Sequence, residues 1–449
     1  MKIAIIGTGY VGLVSGACLA SKGHQVVCVD VDPAKVAHIN DRKPPIYEIG
    51  LQELLDDVVP SNLTATTDLA AAVRGADLSL IAVGTPFDGE LIDLKYIRTA
   101  ARQIGEALKD YDGYHAVIVK STVVPGTTED VVLPILEEAS GKKAGRDFGV
   151  GMNPEFLKEG EAIEDFMYPD RIVLGGIDAR TIEHMAGLYE VFKGVDIIRT
   201  SPRTAEMIKY TANSLLATLI SFSNEIGNLS AELGVDVVEV MRGVHLDKRF
   251  TPIRKDGERV VPGFISYLAA GCGFGGSCFP KDVKALIAHG VSRGSGMPLL
   301  KSVIEVNQAQ PARMIGMLKH RFPDLSGLKV AVLGMAFKPG TDDIRESPSL
   351  PVTQALLDAG ATVKAFDPIA RHEAEKVFER GVEFIDTLDA TVEGADAILI
   401  MTAWPEFRSL PALLSKTGSS AYVIDGRRML AKDSVPAYAG IGLKVEPVA

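Results

Sequence analysis

The sequence predicts an α/β protein with two doubly wound domains joined by a central helical domain that carries a long dimerisation helix. Three observations carry this. Short apolar runs alternate with helical stretches near the N-terminus. The same pattern returns in the same order near the C-terminus. Between them lies one long stretch patterned as a single helix. The expected boundaries are 1–200, 201–318 and 319–449, in keeping with about 150 residues per domain.

Lys2-Ile3-Ala4-Ile5-Ile6-Gly7 reads as a buried parallel strand stopped by glycine, followed by a helix from Val11 to Ser21 that Gly23 ends. Gln25 to Asp30 is the next strand, Leu78 to Val83 the third, and Ala116 to Lys120 the fourth. From Thr204 to Leu233 no proline interrupts a helical pattern. Leu215, Leu219, Phe222, Ile226, Leu229 and Leu233 recur along it at four-three spacing. Part of that stripe is expected in the core. A helix of some 30 residues would reach about 45 Å, more than one small domain covers, so pairing of two copies along it is expected as well. After Ser326, Lys329 to Gly334 echoes Lys2 to Gly7, Ala361 to Pro368 echoes the second strand, and Val392 to Met401 echoes Val73 to Val83. The first turn of this repeat, Gly334-Met335-Ala336-Phe337, lacks the glycine spacing and is not expected to hold a dinucleotide.

Composition narrows the function classes. Lys plus Arg number 47 against 58 Asp plus Glu, a net charge of -11, which argues against nucleic acid or an anionic membrane as partner. Cys18, Cys28, Cys272 and Cys278 are too few for a disulfide scaffold and fit a reducing compartment. No apolar run reaches the roughly 18 residues of a membrane span, and a strand opening at Lys2 leaves no room for a signal peptide. A cytoplasmic enzyme or binding protein is expected.

Gly7-Thr8-Gly9-Tyr10-Val11-Gly12 follows a strand and opens a helix. Gly7 permits the tight turn, Gly9 lets backbone approach a pyrophosphate, and Gly12 allows close helix–strand packing. Asp30, at the end of the second strand, can bind an adenosine ribose and would repel a 2′-phosphate, which selects NAD over NADP. Lys209 and Asn213 are four apart on the long helix and so share a face, some 200° away from Leu215. They are either a solvated face or an amine and an amide beside a reacting carbonyl. In Gly273-Phe274-Gly275-Gly276-Ser277-Cys278-Phe279-Pro280-Lys281-Asp282, the glycines let a loop pack against a ligand and Cys278 sits at a helix entrance. Helix amides and Lys281 there would favour a thiolate, and Asp282 would orient a water or a lysine. The other three cysteines are expected to be packing residues, and no Cys/His spacing suits a metal. A nicotinamide site with a nucleophilic cysteine suggests oxidation of an alcohol through an aldehyde to an acid. A thiohemiacetal makes the second oxidation possible and leaves a thioester to hydrolyse.

These residues resemble the UDP-glucose/GDP-mannose dehydrogenase family over nearly the whole chain. The likeness runs through the glycine motif, Pro45-Ile46-Tyr47-Glu48, Gly84-Thr85-Pro86, Ser121 to Thr127, Asn153 to Gly160, Glu206-Met207-Ile208-Lys209-Tyr210 with Asn213, the cysteine loop, and Phe337 to Pro348. The resemblance implies two Rossmann-like domains and NAD-dependent four-electron oxidation of UDP-glucose to UDP-glucuronate, with GDP-mannose or a UDP-N-acetylhexosamine as alternatives. It makes Cys278 the nucleophile and puts Lys209 and Asn213 on the oxyanion. Asp282 and Thr122 would serve in proton transfer and hydrolysis, with Glu155 as a general acid/base partner. Val11, Asp30, Lys35, Thr85, Thr122, Glu159, Lys281 and Arg345 would contact NAD. Glu155, Phe156, Leu157, Lys158 and Glu159 would line the sugar, with Tyr267, Leu268, Ala269, Ala270, Gly271 and Gly275, and Lys338 near the uridine diphosphate. Two departures stand out. The arginine that precedes the cysteine loop in the family is replaced near Pro262-Gly263 by a charged insertion offering Arg249, Arg254 or Arg259, and Phe87-Asp88-Gly89-Glu90 is shortened. A two-electron β-hydroxyacid dehydrogenase would lack the cysteine loop and third domain. A non-catalytic NAD sensor would have no use for Cys278, Lys209, Asn213 and Asp282 together.

Overall fold

The computed structural model describes residues 1–89 and 91–445, so Glu90 of the shortened loop lies outside the described residues. The chain divides into two compact units, Met1–Ala212 and Asn213–Ala449.

In the first unit eight strands form one sheet: β1 (Lys2–Ile6), β2 (Gln25–Val29), β3 (Leu63–Thr66), β4 (Leu78–Ile81), β5 (His115–Val119), β6 (Phe148–Met152), β7 (Arg171–Gly176) and β8 (Asp196–Thr200). Their order, β3-β2-β1-β4-β5-β6-β7-β8, reverses direction at β1, the switch point of a doubly wound sheet. Successive side chains feed opposite faces. Ile3, Ile5, Leu78, Leu80 and Ile118 enter one core, while Ala4, Ile6, Ile81, Val117 and Val119 enter the other. Two details differ from the expectation. The run Leu78 to Val83 is the fourth strand, because the four-residue β3, Leu63-Thr64-Ala65-Thr66, precedes it without a continuous apolar run to mark it. The sheet is also not wholly parallel, since β6 pairs antiparallel with β7.

In the second unit, β9 (Lys329–Leu333), β10 (Thr362–Phe366), β11 (Val382–Phe384), β12 (Ala397–Ile400), β13 (Tyr422–Asp425) and β14 (Tyr438–Gly440) form an all-parallel sheet ordered β11-β10-β9-β12-β13-β14. The repeat read from sequence is thus structural: β9, β10 and β12 occupy the places of β1, β2 and β4. Met241, Leu268, Cys272 and Met314, from the helical segment before the sheet, share one apolar core with Val330 and Val332. The turn after β9 is closed internally. Asp367, which follows β10 at Phe366, accepts from the amides of Met335 (2.7 Å) and Ala336 (2.9 Å).

The long helix spans Pro202–Leu233, 32 residues or about 48 Å. Its stripe is not a core stripe throughout. Leu219 and Ile226 are partly buried, but Leu215 is 58%, Phe222 50%, Leu229 54% and Leu233 68% exposed. Lys209 and Asn213, which the sequence left open between a solvated face and a buried polar pair, are both buried.

Candidate functional site

In the first unit, the end of β1 delivers Gly7 in the left-handed region (φ 101°), with its amide on the Val29 carbonyl at 2.7 Å. A Cβ on Gly12 would lie 1.9 Å from the Gly7 carbonyl oxygen, so only glycine lets the helix Tyr10–Ser21 start this close to the strand. Gly9 faces open space where a pyrophosphate needs room, and the helix begins immediately after it. Asp30 lies just past β2 and accepts from the Thr8 amide (3.0 Å) and hydroxyl (2.5 Å) and from the Asp32 amide (3.0 Å). Burial pulls its pKa up, but these bonds and Lys35 hold it below the ordinary carboxylate value. An ionised acid at this strand end, beside an open glycine turn, fits an adenosine ribose and NAD. Thr85, after β4, donates to the Thr122 carbonyl at 2.8 Å, so the two expected threonines meet at neighbouring strand ends. Val11 is half-buried in the first turn of the helix.

Beyond β5 and β6 lies a buried charged cluster. Lys209 Nζ is 3.0 Å from Glu155 Oε1, both side chains being almost fully enclosed, and lies 5.5 Å from the centre of the Phe156 ring. Burial raises the Glu155 pKa, but Lys209 outweighs it and holds the acid below its usual value. Sequence reasoning missed the second cation, Lys120, whose Nζ donates to Asn153 Oδ1 at 3.0 Å. Burial pushes this lysine down to about 8, and Lys209 pushes the same way against the pull of Glu155. Lys120, Glu155, Phe156, Leu157 and Arg171 line one pocket. The signal was a lysine closing a buried parallel strand, where α/β sheets hold ligands. Lys158, expected at the sugar, instead turns to Glu161 and Asp165, while Glu159 is half-buried.

Glu206, three residues before Lys209, is fully buried and accepts from the Gly126 amide (2.5 Å), the Thr128 amide (2.8 Å) and the Thr128 hydroxyl (2.7 Å). Burial nevertheless pushes it up to about 7. An acid whose folded pKa lies above its unfolded value stabilises most below the unfolded value and loses that contribution as pH rises through the folded one. Between pH 4.5 and 7 this group should therefore cost about 3 kcal/mol. Glu206→Gln should flatten that part of the stability profile. Urea midpoints at pH 5 and pH 8 check it; an identical pH dependence in the variant rejects the assignment.

In the second unit Cys278 is the N-cap of the helix Phe279–Ser292, with no side-chain capping bond. It is half-buried with Ser277 Oγ 3.6 Å from its sulfur, while Cys18, Cys28 and Cys272 are fully enclosed. Burial pushes the thiols of Cys18 and Cys28 up to about 12 and raises that of Cys272. Asp282, in the first turn, is buried with both oxygens engaged: Asn213 donates at 2.7 Å and Lys281 lies at 2.5 Å. Its partners are thus its chain neighbour Lys281 and the side-chain amide of Asn213 on the long helix.

The loop before Cys278 is tied down along its length. Gly271 donates to Asn224 Oδ1 at 2.7 Å, Asn307 bonds both backbone groups of Phe274, and Arg427 reaches the Gly273 carbonyl at 3.0 Å. A Cβ on Gly275 would stand 2.3 Å from the Glu346 carbonyl oxygen, so this glycine admits the segment carrying Arg345. Arg345 itself is exposed and grips Asp343 with two bonds of 2.8 Å. Tyr267 is half-buried and Leu268 and Ala270 are buried, while Ala269 is exposed; Lys338 is half-buried after β9. Of the three insertion arginines, Arg249 pairs with Asp247 and Arg254 with Glu258, and Arg259 holds its own loop through Leu246 and Thr251. Among the described residues no group of His, Cys, Asp and Glu could hold a metal, and no helix is long and apolar enough to cross a membrane.

Residues 1–193, 203–309 and 331–432 match the NAD-binding, central and UDP-binding domains of the UDP-glucose/GDP-mannose dehydrogenase family. A UDP-glucose 6-dehydrogenase of Haloferax volcanii is 43% identical, over 96% of this chain and 98% of that one. A GDP-mannose 6-dehydrogenase of Pseudomonas syringae is 41% identical over 95% of each. Among solved structures, a UDP-glucose dehydrogenase from Pyrobaculum islandicum superposes with a TM-score of 0.89 at 38% identity, covering 98% of this chain and 97% of that one. With three successive domains matched and relatives above 40% identity end to end, the chain belongs to the UDP-glucose/GDP-mannose dehydrogenase family.

Proposed function

We propose that this NAD-dependent nucleotide-sugar dehydrogenase oxidises the C6 alcohol of UDP-glucose to the carboxylate, giving UDP-glucuronate with two NADH per turnover. The observation that carries the chemistry is Cys278 at a helix entrance one turn from the buried Asp282–Asn213 pair. NAD, when bound, supplies the hydride acceptor for each of the two oxidations. Cys278 adds to the aldehyde of the first, so that the second yields a thioester on its sulfur, and water releases the acid and the thiol. Lys209 and Asn213, one turn apart on a single helix, would steady the oxygen as it becomes negative at each addition. Glu155, held ionised by Lys209, can take the proton that the alcohol gives up. The family resemblance assigns Thr122 and Asp282 to the water or the lysine used in proton transfer and hydrolysis, and Asp282 is itself held by Asn213 and Lys281.

Gly276-Ser277-Cys278 lacks the histidine that acetamido-sugar relatives more often carry, which favours glucose or mannose as the sugar, and Asp165 to Val173 resembles the UDP-glucose branch more closely, which favours UDP-glucose between them. The test is NADH formed per sugar nucleotide consumed, with UDP-glucose and GDP-mannose in parallel. Two NADH and an acid from UDP-glucose support the reading. One NADH rejects the four-electron chemistry, and turnover of GDP-mannose alone rejects the substrate.

The exposed stripe of Leu215, Phe222, Leu229 and Leu233 supports a homodimer formed along the long helix. A charge in mid-stripe, Phe222→Asp, should halve the mass measured by light scattering; an unchanged mass rejects this interface.

A further inference from the structure

Glu48 stands in the motif Pro45-Ile46-Tyr47-Glu48, for which the chemistry above has no use, yet it is a buried carboxylate. One oxygen accepts from the Ala162 amide at 2.8 Å. The other accepts from the Gly160 amide at 2.7 Å and from the hydroxyl of Tyr10. The Tyr10 oxygen in turn receives the Gly160 amide at 3.0 Å. Tyr10 is the first residue of the helix that the glycine turn opens. Gly160 and Ala162 close the segment carrying Glu155 and Glu159, and they lead into the helix Ala162–Met167, whose N-cap residue Glu161 makes no side-chain cap. Burial and then Glu48 raise the Tyr10 pKa, so the phenol stays a donor.

We infer that Glu48 is a positioning residue that couples cofactor seating to the substrate loop, through Tyr10 on one side and the amides of Gly160 and Ala162 on the other. A pyrophosphate drawn to the first helical amides fixes the backbone of Tyr10. The phenol and Glu48 carry that order to the loop, which presents its acids only when the cofactor is in place. Coupling of this kind needs no contact between Glu48 and either ligand.

The test is hydrogen exchange with and without saturating NADH, followed in the peptide spanning 157–166, in wild type, Tyr10→Phe and Glu48→Gln. In the wild type NADH should slow exchange there about fivefold. In both variants NADH should bind within about threefold of wild-type affinity and the slowing should be lost, with kcat falling about tenfold through a misplaced loop. Equal slowing in the variants, or none in the wild type, overturns the proposal. So does a variant whose NADH affinity falls more than about tenfold, since Glu48 would then only build the cofactor site. Tyr10→Phe removes one hydroxyl and keeps the test alive if Glu48→Gln fails to fold. The kinetic arm rests on the proposed function and the exchange arm only on NAD binding, so the two can fail separately.

Discussion

Cys278→Ser is expected to make no UDP-glucuronate, with steady-state NADH formation at least about a thousandfold below wild type. The serine occupies nearly the same volume at a half-buried helix N-cap, a position where serine is preferred, so the fold should stand. What is lost is the nucleophile, because a hydroxyl at neutral pH has almost none of the anion that a thiol supplies. Without the covalent adduct the aldehyde has no route to the second oxidation. NADH should then not exceed one equivalent per site in a single-turnover experiment that counts acid and NADH together. Acid formation at a rate near wild type would sink the thioester route while leaving the cofactor and sugar sites untouched. Tm in the same samples separates a dead active site from an unfolded one.

How much of this was written in the sequence varies with the kind of residue. The glycine turn was legible because its conformation admits almost nothing else: Gly7 needs a positive φ and Gly12 has no space for a Cβ. The repeated halves were legible because buried parallel strands are continuous apolar runs, as in β1, β4, β9 and β12. β3 was not, since it is only four residues long and lacks the continuous apolar run that marked the others. The helix stripe was read with the right period, but the sequence did not say which of its residues the chain itself covers: Leu219 and Ile226 are partly buried, while Leu215, Phe222, Leu229 and Leu233 are exposed. Periodicity reports that one side is apolar, not whether this chain or another body covers it. Least legible were Lys120 and Glu206, whose importance comes from burial beside Asn153 and the Gly126–Thr128 turn, contacts made across 33 and 80 residues of sequence.

Lys209→Met should show why the long helix carries a buried charge. The ammonium and Glu155 are both enclosed and 3.0 Å apart, and removing one member of such a pair leaves the other charged and desolvated. That ordinarily costs 3–5 kcal/mol; here about 3 is expected, because Lys120 still draws Glu155 toward its ionised form. Activity should fall by about 10²–10³ if the ammonium steadies the oxyanion. The two effects separate in the double variant Lys209→Met/Glu155→Gln. Neutralising Glu155 removes the stranded charge, so urea midpoints should return most of the way to wild type, while kcat stays at or below that of the single variant. Recovery of activity along with stability would mean that Lys209 serves only to balance Glu155, and would remove it from the reaction.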